Sequence, residues 1–518
     1  MRSGARASAL GIILVVVVTL SLASVRLDSA TADEPAYIAT GMIKLVDGRV
    51  DYYRDEPPLM NSLSAAPLAI AGYRLPHFWT YESNKWGVGK QWLWRSGLDG
   101  HRMLFLARLP TVALFAALVA TMFWFVRRET QSDFAALAAA ILTGFCPNLM
   151  AHGRLATIDL ALSFFTFAAA ASFIVTIETG SRAAAIAMGV ASAAAILSKT
   201  SGNILGPYFV IVLVIALVKR PADRRRLIVN FGIAVLAAIA FAEIFILAEA
   251  RTLNPIVPLR EYVENIRAIH AWYMQGHDHP QFLLGRFSTT GFREYYPVAF
   301  LLKTTIPAIA LFALAIVRGR GFAAYALLLF AVLFMAVAMG GHLDLGIRYV
   351  LPIYPFVYAA IGIAVAQRTR AITIVAALLI VWHVAENVAN YPQYISYFNE
   401  FIGSKRNADQ YLVDSNLDWG QDLRRLGAWC REHGVRQITV HYFGGADLAY
   451  DLRGLRVVGW SSPAPQRLPK GYFALSRHMY RTSFTPGLFP MDYDTFLRMN
   501  RARYVTTVGG SIYVYAVD

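Results

Sequence analysis

The run Leu10-Gly-Ile-Ile-Leu-Val-Val-Val-Val-Thr-Leu-Ser-Leu-Ala-Ser-Val25 carries no charge, and shortly beyond it the chain turns polar at Asp33-Glu34-Pro35-Ala36-Tyr37. With its flanks, the run predicts a helix over about 8–25, close to the roughly 20 apolar residues that a bilayer span needs. Arg2 and Arg6 precede it and Ala30-Thr31-Ala32 follows, so a cleaved secretory leader is the alternative reading. Either way, Asp33 is expected just beyond the far side of the first span.

The same apolar signature recurs along the chain. Spans are expected at roughly 103–126, 133–150, 157–177, 183–198, 204–218, 227–248, 298–317, 322–339, 349–366 and 371–388, about eleven in all with the first. Composition agrees, because 57% of the 518 residues are hydrophobic and 16% charged, whereas a soluble domain averages about 45–50% and about 25%. The formal charge of +15 would suggest nucleic acid in a soluble protein. Here the basic residues fall in alternate short loops, at Arg127 and Arg128, Arg182, Lys219 to Arg226, Arg318 and Arg320, and Arg368 and Arg370. Short loops rich in Lys and Arg stay cytoplasmic, so no nucleic-acid partner is expected. The N-terminus is placed inside, and the long segments 26–102, 249–297 and 389–518 outside. Two cysteines, Cys146 and Cys430, support neither a disulfide framework nor a metal site.

Two domains follow: a polytopic membrane module over 1–398 and an exoplasmic α/β domain over 399–518. In the second, a helix from Asp418 as cap to His433 is expected, with Gly434 as its stop. Strands are expected at 438–443, 455–458 and 471–475, and a Gly509-Gly510 hairpin joins 504–508 to 511–517.

The chemistry gathers at the outer edge. Asp33-Glu34 follows the first span, Arg54-Asp55-Glu56-Pro57-Pro58 lies in the first outer loop, and Arg154-Leu-Ala-Thr-Ile-Asp159 links the third and fourth spans. Lys199 ends the fifth span, Lys303 follows Tyr295-Tyr296-Pro297, and Arg348-Tyr349 closes a stretch opened by Gly341-His342. Ionisable residues beside a span are costly and mark function. Several cations at one depth with several carboxylates suit an anionic lipid headgroup. Trp and Tyr around 78–94 and 262–296 read as an aromatic belt.

This pattern resembles the GT-C class of membrane glycosyltransferases. Within it, the chain is similar to the polyprenyl-phosphate-dependent group that holds the protein O-mannosyltransferases and the lipid A aminoarabinose transferases. The likeness spans about residues 8–390, carried by Asp33-Glu34 with Arg154…Asp159 and by His279-Pro-Gln-Phe-Leu-Leu-Gly285 through Lys303; Asp414 to Leu423 resembles an extension in some members. It implies a mainly α GT-C bundle of about eleven transmembrane helices with an exoplasmic α/β domain. It also implies a polyprenyl-phosphate-linked sugar as donor, a lipid, glycan or protein hydroxyl as acceptor, membrane lipid as surroundings, and a bacterial inner membrane as location.

By the same resemblance Asp33 is the general base, Asp159 orients the acceptor or the base, and Glu34 supports Asp33. Lys199, Arg348, Arg154 and Lys303 are the candidates for the donor phosphate, with Tyr349 as a hydroxyl donor. Asp55, Glu56 and His342 are expected to support the acceptor or the loops. No ligand spacing compels a metal or other cofactor, and a divalent ion is left open. All these groups precede residue 390, so the C-terminal domain is expected outside the reaction centre. A transporter or flippase of a lipid-linked glycan is the rival, but its polar groups would lie at mid-membrane; of the residues here only Glu243 and Glu249 approach that.

Overall fold

The computed structural model describes residues 3–76, 84–275, 280–366, 369–460, 467–484 and 492–518. Arg2, the aromatic stretch 78–83, His279 and Arg368 therefore lie outside the described residues.

Helix α1 (Ser3–Val25) leads into a loop that holds α2 (Glu34–Asp47), α3 (Pro58–Ile70) and α4 (Lys85–Arg95). Then follow α5 (Gly100–Thr130), α6 (Asp133–Gly144), α7 (Pro147–His152), α8 (Asp159–Thr179), α9 (Arg182–Ser198), α10 (Leu205–Lys219) and α11 (Arg224–Ala250). A second large loop carries α12 (Ile256–Gln275) and a hairpin of β1 (Gln281–Leu283) and β2 (Arg286–Ser288). The membrane helices resume with α13 (Tyr295–Lys303), α14 (Ile306–Arg318), α15 (Phe322–Met339), α16 (Ile353–Ala366) and α17 (Arg370–Ala389).

Among the described residues, seven helices are long and apolar enough to cross a membrane, and the bent pair α13–α14 makes an eighth. The shorter apolar helices α6, α9 and α16 occupy the three other expected spans. Side chains at the loop ends start several of these helices: Ser132, Ser181 and Thr369 each accept a backbone N–H from the first turn of α6, α9 and α17. Small residues then let the backbones approach closely. A Cβ on Gly189 of α9 would meet the Ala234 carbonyl of α11 at 2.1 Å. Rings fill the centre, where Phe330 of α15 stacks on Phe356 of α16 at 3.8 Å.

Two expected spans are interrupted. The segment 133–150 stops at Gly144, because Pro147 cannot continue the helix and instead opens α7. The segment 298–317 breaks between Lys303 and Ile306, and its halves meet at 116°. There the Thr305 hydroxyl caps α14, while the Asn399 amide donates to the carbonyls of Leu301 and Thr304 at 2.6 and 2.7 Å. The break leaves those two carbonyls partnered inside the protein, the condition that backbone at membrane depth must meet.

The C-terminal part contains α18 (Ala408–Tyr411), α19 (Leu423–Glu432), α20 (Leu448–Asp451), α21 (Arg477–Thr482) and α22 (Tyr493–Met499) around one sheet. Its strands are β3 (Gln437–His441), β4 (Arg456–Gly459), β5 (Gly471–Ser476), β6 (Ala502–Val508) and β7 (Ile512–Val517), in the order β4-β3-β5-β7-β6. β3 runs parallel to β4 and β5, and β7 antiparallel to β5 and β6. One expectation needs correction. The helix begins at Leu423, not after Asp418, and Gly434 at φ +64° stops it. Asp418 is instead spent on the turn before it, where it accepts from Ser476 Oγ and from Gly420 N at 3.1 Å.

Candidate active site

Asp33 stands at the N-cap of α2, yet its side chain makes no capping hydrogen bond. Its carboxylate, 20% exposed, instead faces Arg348, whose Nη1 is 3.2 Å from Oδ2. The Tyr37 hydroxyl, one turn along α2, approaches the same oxygen at 3.5 Å. Burial, followed by the charges of Asp33 and Glu56, holds the Tyr37 phenol well above its ordinary range, so it is a hydrogen-bond donor.

Glu34 has a different fate. It is fully buried and both oxygens are committed. Arg108 of α5 donates to them at 2.7 and 2.6 Å, with Ala156 N at 2.8 Å and Thr31 N at 2.9 Å. Such a bidentate, charge-assisted clamp is strong. It fixes the turn that carries Asp33 and leaves Glu34 no oxygen for a substrate. Two glycines tighten the same turn: a Cβ on Gly89 or Gly445 would meet the backbone oxygen of Pro35 or Thr31 at 2.1 Å.

Asp159 opens α8, where the helix N-terminus favours a carboxylate. It is fully buried, with Lys199 Nζ 2.6 Å from Oδ1 and Arg348 Nη1 3.6 Å from Oδ2. Arg348 therefore bridges Asp33 and Asp159, and Lys199 flanks the second carboxylate. The Tyr349 ring lies 4.0 Å from Lys199 Nζ and also borders the Arg348 guanidinium. Asp33 at the head of α2, Asp159 at the head of α8, Lys199 at the tail of α9 and Arg348 before α16 share one end of the bundle. The paired basic residues lie at the other end, where Arg128 binds Glu178 at 2.6 Å and Arg220 binds the Ile177 carbonyl at 3.0 Å.

Asp55 and Glu56 are joined by a cation that the sequence did not single out. Lys85, at the start of α4, is buried, and its ammonium sits 2.7 and 2.8 Å from them. Burial alone would lower that ammonium, but the two carboxylates hold it above its ordinary range. Burial raises the Glu56 carboxyl against the pull of Lys85, with Asp33 among the neighbours it feels.

Three expected residues lie elsewhere. Arg154 is buried, but it pairs with Asp28 and stacks over Tyr394 at 5.3 Å. Lys303 donates to the carbonyls of Ile395 and Asn416 at 2.8 and 2.5 Å, which brace the break between α13 and α14. His342 is exposed and meets the Thr290 carbonyl at 3.0 Å. None of the three points its charge at the Asp33–Asp159 pair.

The segment 414–422 of the C-terminal domain, expected outside the centre, forms one of its walls. The Trp419 ring lies 4.4 Å from the Arg348 guanidinium and 5.9 Å from the ring of His152. Backbone bonds run from Ala32 N to Trp419 O at 3.0 Å and from Ser29 N to Gln421 O at 2.9 Å. Ile347 N donates to Asn416 Oδ1 at 2.8 Å and Ser415 Oγ to Leu345 O at 2.6 Å. One segment thus braces both the Asp33 turn and the Arg348 turn. Asp28, which also takes Arg425 at 2.6 Å, ties the same parts together. Among the described residues, no three of His, Cys, Asp and Glu converge as a metal would require.

A family model described as dolichyl-phosphate-mannose-protein mannosyltransferase matches residues 57–259. The crystal structure of ArnT from Cupriavidus metallidurans in the apo state superposes with a TM-score of 0.53 at 14% identity, over 99% of this chain and 98% of that one. The same protein bound to undecaprenyl phosphate gives 0.50 at 13% identity, over 98% and 97%. No curated protein matches by sequence. The chain has the fold of the GT-C glycosyltransferases along its whole length, joined over residues 57–259 to the sequence pattern of their protein mannosyltransferase family.

Proposed function

We propose that the chain is an inverting membrane glycosyltransferase that moves a sugar from a polyprenyl-phosphate carrier to an acceptor hydroxyl on the exoplasmic face of a bacterial inner membrane. One observation carries the reading: Arg348 bridges a partly exposed carboxylate, Asp33, and a buried one, Asp159, with Lys199 beside them. The undecaprenyl phosphate held by the ArnT neighbour agrees with such a donor. The exoplasmic assignment is supported by the basic loops at the opposite end of the bundle.

The acceptor oxygen attacks the anomeric carbon from the face opposite the phosphate while its proton passes to Asp33. The bond from that carbon to the phosphate oxygen breaks with its electron pair on the phosphate, and the lipid leaves as a monoester that needs no proton. Lys199 and Arg348 stabilise this growing charge because they are already in place and largely shielded from water. The incoming phosphate competes with Asp33 for the Arg348 guanidinium, which leaves the Asp33 carboxylate free to take a proton. Asp159 keeps its hold on Lys199 and Arg348 meanwhile. Asp55, Glu56 and Lys85 support the neighbouring loop.

Purified protein with a panel of polyprenyl-phosphate sugars tests the reading. Transfer with inversion is expected, along with weaker use of the donor in Lys199→Ala and Arg348→Ala. A phosphate contact of this kind contributes about 1.5–3 kcal/mol. Movement of the lipid-linked sugar across a vesicle with no bond broken would instead identify a flippase.

A further inference from the structure

The C-terminal sheet holds a second group of chemically active side chains that the reaction centre does not use. Two cavities of about 470 and 550 Å³ adjoin at its edge, and both are lined by Gln410, Tyr480, Arg481 and Asp494. They form one cleft that runs from β6 and β7 to the β1–β2 hairpin at Phe282, Leu284 and Gly285. Each cavity falls in the roughly 300–1,000 Å³ range of small-molecule sites.

The lining is aromatic. Tyr513 has Tyr480 at 5.5 Å and Tyr504 at 6.1 Å, ring to ring, and Tyr504 is 41% exposed. Planar polar groups stand among the rings. Asp409 is committed to Arg477, to Arg481 at 2.7 Å and to the Tyr513 hydroxyl at 2.7 Å. Among the described residues, the Asp494 carboxylate receives the Tyr480 hydroxyl alone, at 2.6 Å on Oδ1. The Arg406 side chain makes no hydrogen bond or ion pair among the described residues.

This mixture discriminates between ligand classes. A hydrocarbon chain would desolvate Arg406, Asp494 and Gln410 and return no hydrogen bonds. A bare anion would find the guanidiniums of Arg406, Arg481 and Arg498, but it would also meet the Asp494 carboxylate and leave the tyrosine rings unused. A sugar ring fits both halves of the lining: its C–H face packs on tyrosine, and its hydroxyls pair with carboxylate, guanidinium and amide. The helix that carries Tyr480 and Arg481 also touches the start of the 414–422 segment, since its His478 accepts from Asp414 N at 3.1 Å.

We infer that this cleft binds an oligosaccharide. Taken with the proposed glycosyl transfer, on which this part rests, the acceptor is a glycan anchored there.

The test uses the full chain in lipid nanodiscs and saturation-transfer NMR with short oligosaccharides of neutral hexoses, N-acetylhexosamines and uronic acids. At least one class should bind the wild type, and Tyr504→Ala and Arg406→Ala should each weaken it about tenfold, the scale of one lost ring or charged contact. Tyr504→Trp should keep binding, and Asp33→Asn should bind normally. No binding by the wild type, binding unchanged in Tyr504→Ala with Arg406→Ala, or capture of peptides in place of glycans would each overturn the inference. Binding does not depend on turnover, so a failure of the proposed transferase reaction stays distinguishable from a failure of the cleft.

Discussion

The Arg348 guanidinium lies against the indole of Trp419, 4.4 Å from the ring centroid, so the cation between the Asp33 and Asp159 carboxylates is covered by a residue of the C-terminal domain. A desolvated cation–π contact contributes about 2 kcal/mol. Trp419→Leu should therefore lower kcat and raise KM for the lipid donor, with Trp419→Phe intermediate. Steady-state kinetics on protein of unchanged melting temperature gives the answer. A folded Trp419→Leu enzyme with wild-type constants would show that the ring only fills space.

Asp33 and Glu34 are adjacent in sequence and should separate cleanly by experiment. Asp33→Asn preserves shape and removes no cap; it gives up the ion pair with Arg348, which keeps Asp159, so it should lower stability only slightly. Loss of a general base removes about 10²–10⁴-fold in rate, so turnover should collapse while donor binding persists. Glu34→Gln breaks the buried pair with Arg108, a change that costs about 3–5 kcal/mol. It should appear first as a lowered melting temperature, measurable in the same preparation. The opposite assignment, a silent Asp33→Asn with a stable but inactive Glu34→Gln, would reverse their roles.

The wall that carries Trp419 should respond to pH. Burial pushes Asp418 up to about 7, against the stabilising bond from Ser476 Oγ. A carboxyl with a raised folded pKa binds its proton more tightly in the native state, so stability is greatest at low pH and falls from about pH 4 through about 7. The slope approaches about 1.4 kcal/mol per pH unit for one such group. Buried Asp422 and Asp451, each raised to about 6 by burial, act in the same direction. Melting temperatures from pH 5 to 8 should decline in the wild type and flatten in part in Asp418→Asn. An unchanged slope in that variant would remove Asp418 from the account.

Helix α1 should remain in the mature protein. A leader cut after Ala32 would separate Asp28, Ser29 and Thr31 from Asp33, yet Arg108 holds the carbonyls of Val25, Asp28 and Ser29 at 3.0, 3.2 and 2.9 Å. Arg154 and Arg425 hold the Asp28 side chain as well. Intact-mass analysis of protein purified from membranes should give the full-length chain. A native, active product that begins at Asp33 would refute this.

Apolar runs announced the helices because hydrocarbon leaves the backbone few alternatives, and the strands of the C-terminal sheet followed from short alternating runs. The breaks at Pro147 and at Lys303-Thr304 were harder to see, since the apolar pattern runs straight through both. At the site, Asp33, Asp159, Lys199 and Arg348 were legible as ionisable residues at span ends, and the structure brings them together. Arg154 and Lys303 carry the same signal but use it to hold distant turns, and spacing alone cannot separate the two uses. Lys85 and Arg108 carry no local signal, because their partners lie 29 and 74 positions away in sequence. Trp419 lies far from the site's other residues in sequence, so the resemblance of Asp414–Leu423 to an extension in some family members gives no hint of its place against Arg348.

The backbone bonds from Ser29 and Ala32 to Gln421 and Trp419 join an early part of the chain to a late one. A ribosome delivers Asp33 hundreds of residues before the ring that covers Arg348. During synthesis the nascent protein therefore holds the Asp33 and Arg348 turns without the segment that braces both. The cluster of Asp33, Arg348 and Asp159 closes only when the last part of the chain has folded against it, so docking of the tail is the step that completes it.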